Sequence, residues 1–173
     1  MTGPDAHGLR IREAARAVVL DPAGRVLLVR FEFPTGTRWA LPGGGLEPGE
    51  SHLDAVRREL AEEVGLVDAV IGAEIWRRLH IVAFIGGAFD GQRERIHLVR
   101  TAAFDPQPRL TWEQMHAEYV FELRWWSVGE ISAARAEARR DGDRPLFAPG
   151  ALDEHLATLL SDGIPHAPID VGV

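Results

Sequence analysis

Cysteine is absent from this chain. That absence removes disulfides, zinc–thiolate sites and thiol nucleophiles together, and it permits a reducing compartment. Long apolar runs are missing as well. No stretch approaches the length of a membrane span, and the opening residues MTGPDAHGLRIR carry charges and proline where a signal peptide needs an apolar segment. A cytoplasmic protein with no membrane partner is the expectation. Positive charge is in deficit: 19 Lys and Arg stand against 26 Asp and Glu, for a formal net charge of −7. A broad grip on a nucleic acid backbone is therefore not expected. A small anionic ligand stays compatible, provided that cations or a local arginine cluster mediate its binding. There is no internal repeat and no low-complexity tract.

What is present is an ordinary globular composition. The 173 residues are 46% hydrophobic and 26% charged, enough for one domain with a core of its own. Arg16 to Leu20 and Arg25 to Phe31 read as strands joined by the tight turn Asp21-Pro22-Ala23-Gly24. Ala73 to Ile85 and Arg95 to Phe104 read as a hairpin around Gly86 to Gly91, followed by a loop with Pro106 and Pro108. Leu123 to Ser127 reads as a short strand on which Trp125 and Trp126 face opposite sides. Gly129 to Arg140 and Pro149 to Leu160 read as helices, and the tail IPHAPIDVGV as irregular. The fold class expected is α/β, a mixed sheet covered by helices.

Between Ser51 and Val64 the period changes. Leu53, Val56, Leu60 and Val64 recur at helical steps, with Ser51 as N-cap and Gly65 as the stop. Glu59, Glu62 and Glu63 then share an arc about 100° wide beside the apolar stripe, at roughly 100° per residue. A solvated face is the common fate of such glutamates. Three hard carboxylates together are also a donor set for Mg²⁺ or Mn²⁺.

The spacing decides between these. Gly44, Glu50 and the run Arg58-Glu59-Leu60-Ala61-Glu62-Glu63-Val64-Gly65-Leu66 match every specified position of the Nudix box, and the chain resembles a Nudix hydrolase. The flanks RVLLVR, WALPGGG and RWWSVGEI also resemble that family, so the likeness spans about Arg12 to Ile131. Residues 1–173 are expected to form a single Nudix domain, with a core over about 12–131 and a C-terminal helical extension over about 132–173.

The resemblance implies an α/β/α sandwich with the box folded as loop, helix, loop. It implies hydrolysis of a diphosphate linkage in a nucleoside diphosphate joined to another moiety, with Mg²⁺ (or Mn²⁺) held by Glu59, Glu62 and Glu63 and by the Gly43 carbonyl. Gly44, Glu50, Arg58 and Gly65 are the structural members of the box, with Glu50 placed to pair with Arg58. The family often adds one more carboxylate before the last strand. Glu113, Glu118 and Glu122 compete for that place, and Glu118 is the choice. Arg77, Arg78, Arg93 and Arg95 could grip a distal phosphate, and Trp39, Trp76 or Phe84 could stack on a base. His80 and His97 are read as structural. Many relatives dimerise, which makes a homodimer the weaker expectation.

A Nudix-fold sensor that binds without cleaving is the main alternative, but the box keeps all its carboxylates. An isoprenoid diphosphate isomerase of this fold needs a cysteine, and a fused repair glycosylase needs additional domains. Marks of the ADP-ribose, dinucleoside polyphosphate, NADH and coenzyme A subclasses are missing. A nucleoside triphosphate and a nucleotide sugar stay comparable as substrates.

Overall fold

Apolar residues on both faces make β1 (Ile11–Leu20) the centre of the sheet. Ala15, Ala17 and Val19 are buried on one side, Val18 and Leu20 on the other, the pattern of a strand covered on both faces. The structure, a computed structural model, describes residues 8–81, 87–141 and 146–172. Asp21 closes the turn after β1 by accepting the backbone N–H groups of Ala23 and Arg25.

The remaining strands follow from there. β2 (Val26–Phe33) runs antiparallel to β3 (Gly36–Ala40), and β4 is the glycine run Gly43–Gly45. β5 (Ile71–Ile81) and β6 (Gly91–Arg100) form an antiparallel pair, and β7 (Val120–Trp126) pairs antiparallel with β2. β8 (Phe147–Ala148) adds to β3 and β9 (Ile169–Asp170) to β5, both parallel. Among the described residues the order is β8-β3-β2-β1-β6-β5-β9, with β4 on β1 and β7 on β2. β1 and β6 are parallel along their whole length, whereas β1 meets β2 only at Leu20 and Val26. The sheet therefore splays open beyond Val26, and β4 fills the gap against β1 from Ala14 to Arg16.

Helices cover both faces. α1 (His52–Glu59) with the helical turn Leu60–Val64 and α2 (Trp112–Ala117) pack Val56, Leu60, Val64 and Met115 onto Ala15, Ala17 and Val19. α3 (Val128–Asp141) and α4 (Leu152–Asp162) pack Ile131, Leu152 and Leu156 onto Val18, Leu98 and Trp76. The result is the three-layer α/β/α arrangement around a mixed sheet. The C-terminal residues take part in it: Leu159 and Val171 belong to the same core cluster as Val18. No helix among the described residues is long and apolar enough to cross a membrane.

Several sequence expectations change here. The box helix is not α-helical to Val64: after Glu59 it widens into a π-type turn, closed by Gly65 at φ 74°. Such a turn accommodates one extra residue per loop and is frequent at functional sites. Leu53 does not join the inward stripe and is 40% exposed. The loop after Pro108 contains α2, whose capping box links the Thr111 hydroxyl to Gln114 N–H and the Gln114 side chain to Thr111 N–H. The T-x-x-Q spacing is a helix-start signal that could have been read in advance. β1 begins earlier, at Ile11, and β6 earlier, at Gly91. The tail is not wholly irregular, because β9 pairs with β5. Residues 82–86, which include Phe84, lie outside the described residues.

Trp125 and Trp126 do face opposite sides. Trp126 packs edge-on against Trp39 and Phe147 in the α3–α4 core, and Trp125 packs against Phe104 and donates its Nε1–H to the Phe104 carbonyl.

Candidate active site

One face of the sheet changes chemistry halfway along its strands. On β1 the side chains run Leu20, Val18, then Arg16 and Arg12. On β6 they run Leu98, Ile96, then Glu94 and Gln92, and on β5 Trp76 gives way to Arg78 and His80. The apolar half lies under α3 and α4. The polar half lines a cleft of about 680 Å³, to which β2, β3, α1 and the α2–β7 turn also contribute.

Glu59 and Glu63 enter the cleft from the box helix. The helix packs on the opposite face of β1, and the glycines of β4 leave room for its carboxylates beside that strand. A Cβ on Gly44 would stand 2.4 Å from Glu59 Oε1, so a side chain there would displace that carboxylate. Gly43 N–H donates to Glu63 Oε2 at 2.9 Å, and the Gly43 carbonyl accepts from Arg16 Nη1 at 2.9 Å. One peptide segment thus links a buried arginine to a buried glutamate.

Burial sets the electrostatics. It pushes Glu63 up to about 8, with the neighbouring Glu59 adding to the rise. Glu59 is also raised by burial, against the opposing pull of Arg58. Arg58 stands at the centre of the box: it pairs bidentately with Glu50 at 2.9 Å through both Nε and Nη2, and Nη2 also donates to the Gly45 carbonyl. Its Nη1 reaches Glu59 at 2.9 Å and Glu62 at 3.3 Å. Glu50 and Arg58 therefore tie the loop to the helix, with charge-assisted bonds of the strong bidentate kind.

The donor set fits a hard divalent cation. Glu59, Glu62 and Glu63 supply carboxylate oxygens, and two of them are raised toward protonation, the condition that a cation relieves. Among the described residues, no three acidic or histidine side chains stand converged as a ready ligand group. Arg58 lies between Glu59 and Glu62 and neutralises both.

The three candidates for the extra carboxylate separate clearly. Glu118 lines the cleft and lies close enough to act electrostatically on Glu63 and Arg12. Glu122 pairs instead with Arg30 at 2.8 Å, and Glu113 is exposed on α2 away from the cleft lining. Tyr119, next to Glu118, holds a left-handed backbone at φ 65° and turns the chain from α2 into β7.

Of the described residues expected to bind substrate, only Arg78 reaches this cleft. Arg77 pairs with Glu74, Arg93 pairs with Glu13, and Arg95 lies 4.0 Å from Glu74. Strand alternation turns all three to the face away from the cleft, and of the four hairpin arginines only Arg78 lines it. Trp39 and Trp76 are core residues of the α3–α4 side. His80 lines the cleft, with burial and then Arg78 holding it below its usual range, while His97 is buried near the Gly72 carbonyl.

Arg12, Arg16, Gln92 and Glu94, with Phe31, Phe33 and Tyr119, escaped the sequence reading. The signal for the first four was polar residues two or four apart on strands otherwise rich in apolar residues. Phe31 and Phe33 share a face as residues two apart on a strand, but nothing in the sequence brings Tyr119 to them. Phe31 and Phe33 stack at 5.5 Å, and Tyr119 lies 5.5 Å from Phe33.

The profile of the NUDIX domain matches residues 10–148. The chain is 32% identical over 163 residues to an RNA pyrophosphohydrolase of Acidiphilium cryptum, covering 88% of this chain and 94% of that one. A NUDIX hydrolase from Nitrosomonas europaea superposes with TM-score 0.59 at 23% identity, covering 85% of this chain and 90% of its own. A C. elegans Ap4A hydrolase superposes with TM-score 0.59 at 19% identity, covering 88% and 99%. With its box buried at the cleft as described, this chain belongs to the Nudix family.

Proposed function

We propose that this Nudix pyrophosphohydrolase cleaves a diphosphate linkage in a nucleoside diphosphate derivative or a nucleoside triphosphate, with Mg²⁺ as its cofactor. The observation that carries the reading is the burial of Glu59 and Glu63 in a cleft that Arg12, Arg16, Arg38 and Arg78 also line. Buried carboxylates without full compensation are costly to a fold and are kept where they act.

Glu59, Glu62 and Glu63, with the Gly43 carbonyl, would hold the cation. Bound there, it supplies charge neutralisation for the phosphates and a lowered pKa for water. Glu63 Oε2 is fixed by the Gly43 N–H, which leaves Oε1 as the atom where a proton is held or accepted. Arg58 pairs with Glu59 and Glu62 and orients them, while Glu50 holds Arg58 in place. Glu118 adds a carboxylate from the turn between α2 and β7. Glu118→Gln is expected to lower kcat more than Glu122→Gln, by about tenfold for a supporting group. Steady-state kinetics on the two variants checks this, and the reverse order would move the role to Glu122.

A second reading concerns the substrate. Relatives covering most of this chain are named RNA pyrophosphohydrolase, and an RNA chain carries phosphoanhydride bonds at its 5′ end. That reopens the expectation that no nucleic acid is bound. The net charge of −7 still disfavours contacts along an RNA body.

One panel tests both readings: sugar nucleotides including ADP-ribose, dinucleoside polyphosphates, ordinary and oxidised triphosphates, and a 5′-triphosphorylated RNA. Products are followed with Mg²⁺ and again with EDTA. Release of a phosphorylated product from one class, abolished by EDTA, is the expected result. Binding of one compound without turnover under any metal would leave a sensor in place of an enzyme.

A further inference from the structure

We infer that Arg78 is a binding residue for the terminal phosphate of the nucleotide substrate, on the cleft wall made by β5, β6 and β1. This deepens the reading above and rests on it.

Arg78 is 5% exposed and lines the cleft. Its Nε has no hydrogen-bond partner. Its other contacts are long: Nη1 to Glu94 at 3.3 Å and Nη2 to His80 Nδ1 at 3.3 Å. Glu94 is committed elsewhere. It takes Arg16 Nε at 2.7 Å and Gln92 Nε2 at 2.6 Å, the shorter bonds of the cluster. Two buried guanidinium groups thus share one carboxylate, and Arg16 has the better part of it. A buried donor left open costs the fold about 1–3 kcal/mol unless a ligand takes it.

The surroundings specify the ligand. Arg38 lies near enough to act on His80, so a third guanidinium faces the same space. The chain contains no lysine, and every one of its 19 Lys-plus-Arg positions is arginine. Guanidinium groups match phosphate oxygens in pairs, whereas a neutral sugar or base offers this wall no charge to meet. The acidic box residues line the same cleft, and Arg16 and Glu63 meet it on either side of Gly43. Arg77, Arg93 and Arg95, on the opposite strand face, cannot contribute.

The test is binding without turnover, in EDTA, on the full chain. ADP, adenosine and pyrophosphate are titrated separately by calorimetry and by the shift in melting temperature. ADP is expected to bind and stabilise the wild type, adenosine to do neither, and Arg78→Met to weaken ADP at least about tenfold, the scale of one lost charge-assisted bond. The same ADP affinity in Arg78→Met overturns the inference. So does a wild type that ADP fails to stabilise, a result that needs no variant to fold. Pyrophosphate binding with ADP excluded also overturns it, because the site would then take an inorganic anion and not the nucleotide. Since no catalysis is measured, loss of ADP binding and loss of hydrolase activity are separate results.

Discussion

Glu63→Gln is expected to lower kcat by about a thousandfold, or roughly 4 kcal/mol of transition-state stabilisation, without loss of folding. Glu63 is the most enclosed carboxylate of the box, 4% exposed, and its Oε2 accepts the Gly43 N–H. Glutamine keeps that acceptor and the side-chain length but carries no charge for a cation. It also removes the burial cost that pushes the glutamate up to about 8. The melting temperature should therefore hold or rise while turnover falls. Kinetics and thermal melting on the same preparation separate the outcomes. Comparable turnover with unchanged Mg²⁺ dependence would sink the ligand assignment, and a collapsed melt would make Glu63 a structural residue.

Glu94→Gln should have the largest effect on stability. Glu94 is 2% exposed and lies between Arg16 and Arg78. Burial alone would raise it, but the two arginines outweigh burial and hold it down at about 2. Glutamine leaves two guanidinium groups facing each other without a countercharge, and breaking a buried pair from one side costs about 3–5 kcal/mol. For a chain of this size that is a fall of roughly 10 °C in melting temperature. The pH dependence follows in sign. A depressed carboxylate contributes stability above its unfolded value near 4.5, and that contribution disappears as pH falls toward about 2. The wild type should lose stability steeply across that window and the variant less steeply, as denaturant melts at several pH values will read. A variant as stable as the wild type would mean that the arginines find other partners. Arg16 also carries the Gly43 and Leu41 carbonyls, so a disturbed Arg16 should reduce activity too.

The box helix shows how far a linear reading reaches. Its start at Ser51, its stop at Gly65 and the Glu50–Arg58 pair all follow from local rules, because caps and fixed spacings act over a few residues. Its burial pattern was less legible. Leu53 looks inward on an ideal wheel yet is exposed, and Glu59 and Glu63 look outward yet are buried. The wheel treats the helix as one cylinder beside one core, whereas here the β4 glycines open a second enclosure along its acidic edge. The widened turn after Glu59 shifts the wheel as well.

The hairpin arginines make the same point from the sheet. Arg77, Arg78, Arg93 and Arg95 all lie on β5 and β6, and residue type offers no reason to prefer one. Register decides: Arg78 sits opposite Glu94, and Arg77 opposite Arg95, on alternate faces. A slip of one residue would exchange the two sets.

What the sequence determined by itself is the family, the α/β class and the acidic box, since each is written in residue type and short spacing. What only the tertiary structure decided is the rest of the cleft. Arg12 and Arg16 on β1, Arg78 on β5, Glu94 on β6 and Glu118 at the end of α2 meet there. They converge because β1 runs parallel to β6 while splaying from β2. That pairing joins segments about 80 residues apart, and its register is set by long-range packing that no local pattern records.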